Sequence, residues 1–307
     1  MDGSEKKRIA LVGLGDIAQK AYLPIVTNHN KISPVLCTRN QQVLKKLVNQ
    51  YRINESYSSI DDLIESRPDA VMIHSNTESH FTLVSKLLNA NIPVFVDKPL
   101  CYSLRESETL LNLSAQKGVL LYLGFNRRFA PLINSLKDQV NPVQIFWQKN
   151  RTNLPGDPRV FVFDDFIHVA DSLRFLVPGE IESIQVFSTL KNKQLEALNV
   201  QWQQNDVLLN GSMNRVSGIT EERVEYFSNG NKWQIDELTK GIHFQDEKQH
   251  IIGFNNWEST LYKRGFSDLI EDWLQALEAE TFNESRIQDI WDTHYLCETI
   301  VEKIVGT

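Results

Sequence analysis

Residues 8–22 read "RIALVGLGDIAQKAY", and the architecture of the first half of the chain turns on them. The run from Arg8 to Val12 is apolar enough for a strand covered on both faces. It stops at Gly13-Leu14-Gly15-Asp16-Ile17-Ala18, a G-x-G-x-x-G/A pattern, and Asp16 onward has helical spacing, with Pro24 placed to kink or end the helix. In such a loop the first glycine makes a tight turn and the second lets a pyrophosphate approach the backbone. A small third residue, here Ala18, permits close helix–strand packing. Unpaired amides at the helix start favour an anion. Strand, glycines and helix in this order point to a dinucleotide loop; the bland alternative is a structural turn in a nucleotide-free α/β domain.

Working outward, short apolar runs alternate with amphipathic ones. "ISPVLCT" (32–38), "AVMIHS" (70–75), "PVFVDK" (93–98) and "VLLYLGF" (119–125) read as further strands. "QQVLKKLVNQ", "SHFTLVSKLLNA" and "LRESETLLNLSAQKG" read as helices, the last closing on Gly118. Apolar strands alternating with helices predict a doubly wound parallel sheet over residues 1–125. From Asn126 the pattern changes. "VQIFWQK", "IESIQVFSTL", "LNVQWQQ", "VLLNGSMNRV" and "RVEYFSNGNKWQIDEL" alternate apolar with polar residues, and Asn229-Gly230 is a hairpin turn. Residues 126–307 therefore read as an α+β domain with an open, mainly antiparallel sheet, one face wet or partner-covered. A helix at 164–177 interrupts its strands and helices close the chain.

The 307 residues suit two domains, and 41% hydrophobic with 23% charged residues is an ordinary globular composition. A net charge of −7 without a basic stripe argues against nucleic acid as partner. No apolar stretch approaches the ~18 residues a membrane helix needs. The charged opening "MDGSEKKR" lacks the apolar core of a signal peptide. Cys37, Cys101 and Cys297 are odd in number and lack zinc-type spacing, which predicts a reducing, cytoplasmic setting. His29, His243, His250 and His294 have no ligand-type spacing, so no metal is expected.

Two strand ends carry chemistry. An NAD site places a carboxylate about 20 residues beyond the glycines, on the ribose 2′-hydroxyl. Here the second strand ends in Thr38-Arg39-Asn40, whose hydroxyl and guanidinium suit a 2′-phosphate. NADP(H) is favoured and NAD(H) possible, although Arg39 taken singly is equally a solvated surface arginine. Asp97-Lys98-Pro99 stands at the C-terminal edge of a buried strand, where open α/β sheets bind ligands. A lysine there reaches a substrate oxygen or a nicotinamide, or merely snorkels to water.

"GLGDIA", "IHSNTESHFTLVSKLLNANIPVFVDKPL" and "GFNRRFAP", in this order, resemble the Gfo/Idh/MocA oxidoreductases. Together with "AQKAYLPIV" and "DDFIHVADSLRFL" they are most similar to that family's MviM group. Asp97-Lys98-Pro99 stands where the family usually has Glu-Lys-Pro. The resemblance covers nearly the whole chain. It implies an N-terminal Rossmann domain followed by a substrate-binding and oligomerisation domain. A homodimer or larger homo-oligomer would form through the C-terminal sheet. Implied cofactor contacts are Gly13, Gly15, Asp16, Ile17, Thr38, Arg39, Ser75, Asn76, His80, Lys98 and Asn126. Arg127, Lys98, Asp164 and His168 are the implied substrate contacts, and a cis peptide is implied before Pro99.

The family pattern Asp-x-Gly-x-His-x-x-Asp appears here as Asp164-Asp165-Phe166-Ile167-His168-Val169-Ala170-Asp171. Asp164, His168 and Asp171 share one helical stripe, and Asp165, three residues before His168, competes with Asp164. Phe166 replaces the usual glycine, which would alter the shape beside a ligand. The residue types suit alcohol oxidation or carbonyl reduction. His168 has an intrinsic pKa near ~6.5 and moves a proton around neutrality. Lys98 steadies a developing alkoxide, and Asp164 orients lysine or imidazole. The expected function is hydride transfer between nicotinamide and a hydroxyl or keto group of a sugar, polyol or related small metabolite. The alternatives are a reductase of another unsaturated molecule, or a dinucleotide-binding sensor without turnover, for which Phe166 is the main support. Lys149, Arg151 and Arg159 lie near the motif, as candidates for an anionic substrate or as solvated charges. Trp257, Tyr262 and Arg264 are candidates for a pocket border or for core.

Overall fold

The computed structural model describes residues 6–279 and 283–306. Residues 1–5, most of the charged opening, and Glu280, in the closing helical segment, lie outside these. The described chain divides into two compact units. One comprises residues 1–124 and 270–291, the other 125–269 and 292–307. Among the described residues no helix is long and apolar enough to cross a membrane.

The first unit holds six parallel strands: β1 (Lys7–Val12), β2 (Ile32–Cys37), β3 (Glu55–Tyr57), β4 (Ala70–Ile73), β5 (Val94–Asp97) and β6 (Leu121–Gly124). Their order is β3-β2-β1-β4-β5-β6, so successive strands are added to one side up to β3 and to the other from β4 on. Five strands match the reading from apolar runs; three-residue β3 carries no such run and is held by register with Val35–Cys37. Local chemistry closes the helices. Asn40 accepts from Gln42 N and Val43 N, each at 3.1 Å, and opens helix Gln41–Tyr51. Ser103 caps helix Leu104–Lys117, and Gly118 at φ +62° ends it. The helix after β1 makes a π turn at Ala18–Tyr22 and then passes through Pro24 to Val26. The reading of 126–307 as one domain needs correction at residues 270–291, which group with the first unit. Trp273 is fully buried there and meets the Phe95 ring edge-on at 5.4 Å.

The second unit holds β7 (Pro142–Asn150), β8 (Glu182–Lys191), β9 (Gln194–Gln204), β10 (Val207–Asn214), β11 (Glu221–Ser228), β12 (Asn231–Asp236), β13 (Lys240–Gln245) and β14 (Lys248–Ile252). The order is β14-β13-β12-β11-β7-β10-β9-β8. All neighbours are antiparallel except β7 and β10, which makes the sheet mixed. The β13–β14 hairpin has no glycine in its turn; Asp246 and Glu247 take φ of 51° and 59° instead. The interrupting helix begins earlier than residue 164: a turn at Pro158–Phe161 runs into a π turn at Val162–Phe166 and then helix Ile167–Leu176.

That helix lies on β10. Phe166 is fully buried, and its ring faces Gly211 of β10. A Cβ on Gly211 of β10 would stand 3.0 Å from Phe166 Cζ, 2.8 Å from Val169 Cγ1 and 3.3 Å from Leu173 Cδ1. The bulk that replaces the family's glycine is absorbed by a glycine across the interface. Gly211→Ala is therefore expected to cost about 1–3 kcal/mol through overpacking, measured by chemical denaturation. Adding Phe166→Leu should return part of the loss; stability equal to the parent in Gly211→Ala alone would contradict this packing.

Candidate functional site

In the first unit the candidate residues gather at the C-terminal ends of β1, β2, β4 and β5. Gly13 leaves β1 at φ +85°, and a Cβ there would stand 2.5 Å from Ser75 N and 2.6 Å from Ser75 Cα. Only glycine allows the loop after β1 to lie this close to the backbone after β4, at the switch point of the sheet. A Cβ on Gly15 would meet nothing within 4 Å. Ala18 is fully buried under the helix start. This open face above helix amides fits a pyrophosphate. Asp16 and Ile17 are exposed beside it, and Asp16 pairs with Lys20 at 2.8 Å.

Beyond β2, Thr38 is half-buried and Arg39 exposed. Thr38 Oγ1 accepts weakly from Asn40 N at 3.4 Å. Ser75 Oγ and Ser79 Oγ share a hydrogen bond at 2.7 Å, and Asn76 Nδ2 donates to Glu78 at 3.0 Å. His80 is buried rather than open to a ligand. Its Nε2 faces Ser75 O at 3.1 Å and its Nδ1 faces Pro99 O at 2.9 Å. The imidazole thus ties the segment after β4 to the segment after β5, so its place is to hold both. The Lys98–Pro99 peptide is cis, and Lys98 is half-buried at the end of β5.

Sequence reading missed a buried aromatic floor under these loops. His74 stacks on Tyr22 with ring centroids 4.0 Å apart, and Phe95 lies edge-on to Tyr22 at 5.5 Å. Among the described residues neither His74 ring nitrogen has a hydrogen-bond partner. Burial first, and the neighbouring His80 second, push His74 down to about 3, so the ring is neutral.

In the second unit, Asp165 rather than Asp164 is the buried carboxylate. It takes a short hydrogen bond from Lys149, a bidentate pair from Arg151 at 2.9 and 3.0 Å, and Arg215 Nη2 at 3.3 Å. Burial opposes its ionisation, but Lys149 and Arg151 outweigh that and hold it far below the carboxylate range. Lys149 is only 2% exposed, and burial followed by the charge of Arg127 lowers it to about 7. Lys149 and Arg151 are therefore not solvated charges. Their sequence signal was parity: Ile145, Trp147 and Lys149 alternate on the covered face of β7. Arg159 is held by Glu298, with both contacts at 2.6 Å.

Arg127, read as a substrate contact, is committed elsewhere. It binds Glu222 bidentately at 2.6 and 2.9 Å, and Trp147 Nε1 joins the same carboxylate at 3.0 Å. Burial works against Glu222, yet Arg127 and Lys149 hold it at about 2. Asn126 Nδ2 donates to Arg264 O at 2.8 Å. Asp171, the end of the expected stripe, is buried in a bidentate pair with Arg128, with Nε to Oδ2 at 2.9 Å. Two members of the motif, Asp165 and Asp171, are thus consumed by ion pairs that shape the helix. His168 is buried and Asp164 half-buried on the same turn and helix. Trp257 is 99% exposed, so it is not core.

With this geometry in hand, comparison with known proteins is informative. Residues 7–125 match the Gfo/Idh/MocA oxidoreductase family with its NAD-binding Rossmann fold. Residues 131–247 match a family described as the YceM-like C-terminal domain. The oxidoreductase YceM of Salmonella typhimurium is 32% identical over 290 residues, covering 91% of this chain and 92% of its own. The myo-inositol 2-dehydrogenase of Thermotoga maritima is 24% identical, over 80% of this chain and 72% of its own. A crystal structure of a Gfo/Idh/MocA family oxidoreductase from Vibrio cholerae superposes with TM-score 0.93 at 38% identity, over 98% of this chain and 99% of that one.

The neutral buried imidazole carries a pH consequence. A histidine that cannot protonate in the fold, but does so near 6.5 when unfolded, contributes stability that is intact above pH 6.5. That contribution is lost as pH falls from 6.5 towards 3. His74→Phe keeps a ring on Tyr22 without the titration. Its melting temperature should fall less steeply than the parent's between pH 6.5 and 4, and parallel curves would refute the assignment.

Proposed function

Because the chain belongs to the Gfo/Idh/MocA oxidoreductase family, with its NAD-binding Rossmann fold, we propose that it is a dehydrogenase that prefers NADP(H) and acts on a hydroxyl or keto group. A polyol, sugar or related metabolite is the proposed substrate. The inositol dehydrogenase among its relatives supports that class.

His168 carries the reading. It is a buried imidazole on a helix whose neighbours Ile167, Val169 and Ala170 are fully buried, and whose nearby carboxylates Asp165 and Asp171 are held by cations. The packing holds it in place, and its chemistry suits taking a proton from a hydroxyl or returning it. Asp164 orients it, and Lys98 supplies positive charge to a substrate oxygen as the alkoxide develops. The nicotinamide, when bound, supplies the hydride acceptor or donor. Gly13 and Gly15 admit its pyrophosphate, and Thr38 with Arg39 takes the 2′-phosphate. Phe166, whose ring packs onto Gly211, is compatible with this reading.

Thermal-shift titration and a polyol and ketone panel test these roles together. NADPH should raise the melting temperature more than NADH, and Arg39→Ala should erase the difference. A stronger NADH effect in the parent would end the 2′-phosphate reading. Lys98→Ala and His168→Ala should still bind cofactor but lose about 100-fold or more in turnover; unchanged turnover would refute the mechanism.

The eight-stranded sheet also turns Phe146, Phe187, Leu208 and Phe227 to its outer face, with Phe187 57% exposed. We propose that this face makes a homodimer, and the free buried thiols Cys37, Cys101 and Cys297 support a cytoplasmic setting. Light scattering should give twice the chain mass, falling to one chain in Phe187→Asp/Leu208→Asp. A parent that scatters as one chain would dispose of the dimer, and export on cell fractionation would dispose of the location.

A further inference from the structure

Asp165 faces three cations, and one of them keeps an unused edge. Arg151 donates to the Asp165 carboxylate through Nε at 2.9 Å and Nη2 at 3.0 Å, while among the described residues its Nη1 has no hydrogen-bond partner. The Arg151 side chain is 34% exposed, whereas those of Lys149 and Arg215 are nearly closed from water. Arg215 is poorly satisfied. It meets Asp165 at 3.3 Å and the carbonyls of Leu154 and Phe161 only at 3.5 Å, and among the described residues its buried Nε has no partner. Neighbouring carboxylates do not balance the cluster. Glu222 is committed to Arg127, and Glu237 lies 3.7 Å from Arg264. Asp164 also acts on Arg215. Lys149, Arg151 and Arg215 thus face Asp165 and Asp164 with one positive charge over. The backbone beside Arg151 carries apolar side chains: Arg151 N donates to Asn214 O and Ser217 N to Arg151 O, and Val216 between them is exposed. Leu154, whose N–H donates to Arg215 O, is exposed as well. A partly buried charge in such company is screened less than one on an open polar surface.

We propose that Arg151 determines specificity by taking an oxyanion of the substrate, a carboxylate or a phosphate, on its Nη1 edge, with Asp165 as the positioning residue that fixes the guanidinium. A fork held by a carboxylate on one side presents its remaining N–H groups in a fixed plane, and planar oxyanions and phosphates match that plane. The incoming negative charge also balances the cluster. Asp165 stands beside Asp164 and three residues before His168. The anionic end of the substrate is thus read from the same turn that carries the residues assigned to its hydroxyl. The substrate class narrows from polyols and sugars in general to their acids or phosphate esters. That narrowing rests on the dehydrogenase reading, whereas binding of the anion does not.

Acetate and inorganic phosphate, titrated into the full chain labelled with ¹⁵N and ¹³C in arginine, test the subsite without a guess at the rest of the substrate. The Arg151 Nε resonance, assigned through bonds, should move saturably with one or both ions. The ion that moves it at the lower concentration tells carboxylate from phosphate. Sodium chloride at matched ionic strength is the blank, and Arg105, an exposed arginine of helix Leu104–Lys117, is the internal control. An Arg151 resonance that moves no more than that of Arg105, or no more than in chloride, overturns the proposal, and this measurement needs no variant to fold. Turnover reads the consequence. Among the substrates of a polyol and ketone panel extended to acids and phosphate esters, the anionic members should have the lower KM. Arg151→Lys, which keeps a cation on Asp165, should raise that KM about tenfold or more and change kcat less. Neutral polyols that match their acids in KM, or an anionic KM that Arg151→Lys leaves in place, overturn the specificity role. An Arg151 that answers to anions in a chain without turnover keeps the subsite and ends the dehydrogenase reading. Turnover with an unmoved Arg151 does the reverse.

Discussion

The contact between Gly13 and the backbone of Ser75 is the constraint on which the first unit's working edge depends. With β1 and β4 adjacent and their connections leaving in opposite directions, the two loops must cross within a distance that no side chain tolerates. The glycine at φ +85° meets that condition and leaves helix amides open above Gly15. From there the organisation spreads laterally. His80 bridges Ser75 to Pro99, and Tyr22 reaches Asp97 over the small residue Gly124. The loops that would hold a cofactor are thus held from below by buried rings.

The second unit solves a different problem, that of fixing a helix rich in carboxylates against a sheet. Asp165 gathers Lys149, Arg151 and Arg215, while Asp171 takes Arg128 and Glu222 takes Arg127. Buried pairs of this kind contribute little net stability over an apolar packing, because desolvation offsets attraction. Their geometry is demanding, however, and loss of one partner strands a charge. They set which way the π turn at Val162–Phe166 presents its side chains. The motif's carboxylates consequently have different work: two shape the helix, and Asp164 is left as the candidate beside His168.

Legibility in the sequence followed the range of the interaction. Strands with apolar runs, the glycine loop, the Gly118 cap and the parity of β7 are local signals, and each element is found where its pattern places it. The β13–β14 hairpin went unread because its turn is Asp246-Glu247, two non-glycine residues in the left-handed region. Strand β3 is too short to show a period. The assignment of residues 270–291 was equally invisible. A helix's apolar stripe says that something covers it, but not which unit does so.

Phe166 shows the limit most sharply. In sequence it is a bulky residue where a relative's glycine would be, next to candidate catalytic groups. Its meaning depends on Gly211, 45 residues later, which supplies the space. By itself the sequence determined the apolar strands with the helices between them, the two kinds of sheet and the dinucleotide loop, because these depend on neighbours along the chain. Which carboxylates are spent on ion pairs, which histidine is a strut and where Phe166 points were decided only by tertiary structure. Those outcomes depend on burial and on partners that the chain brings together only by folding.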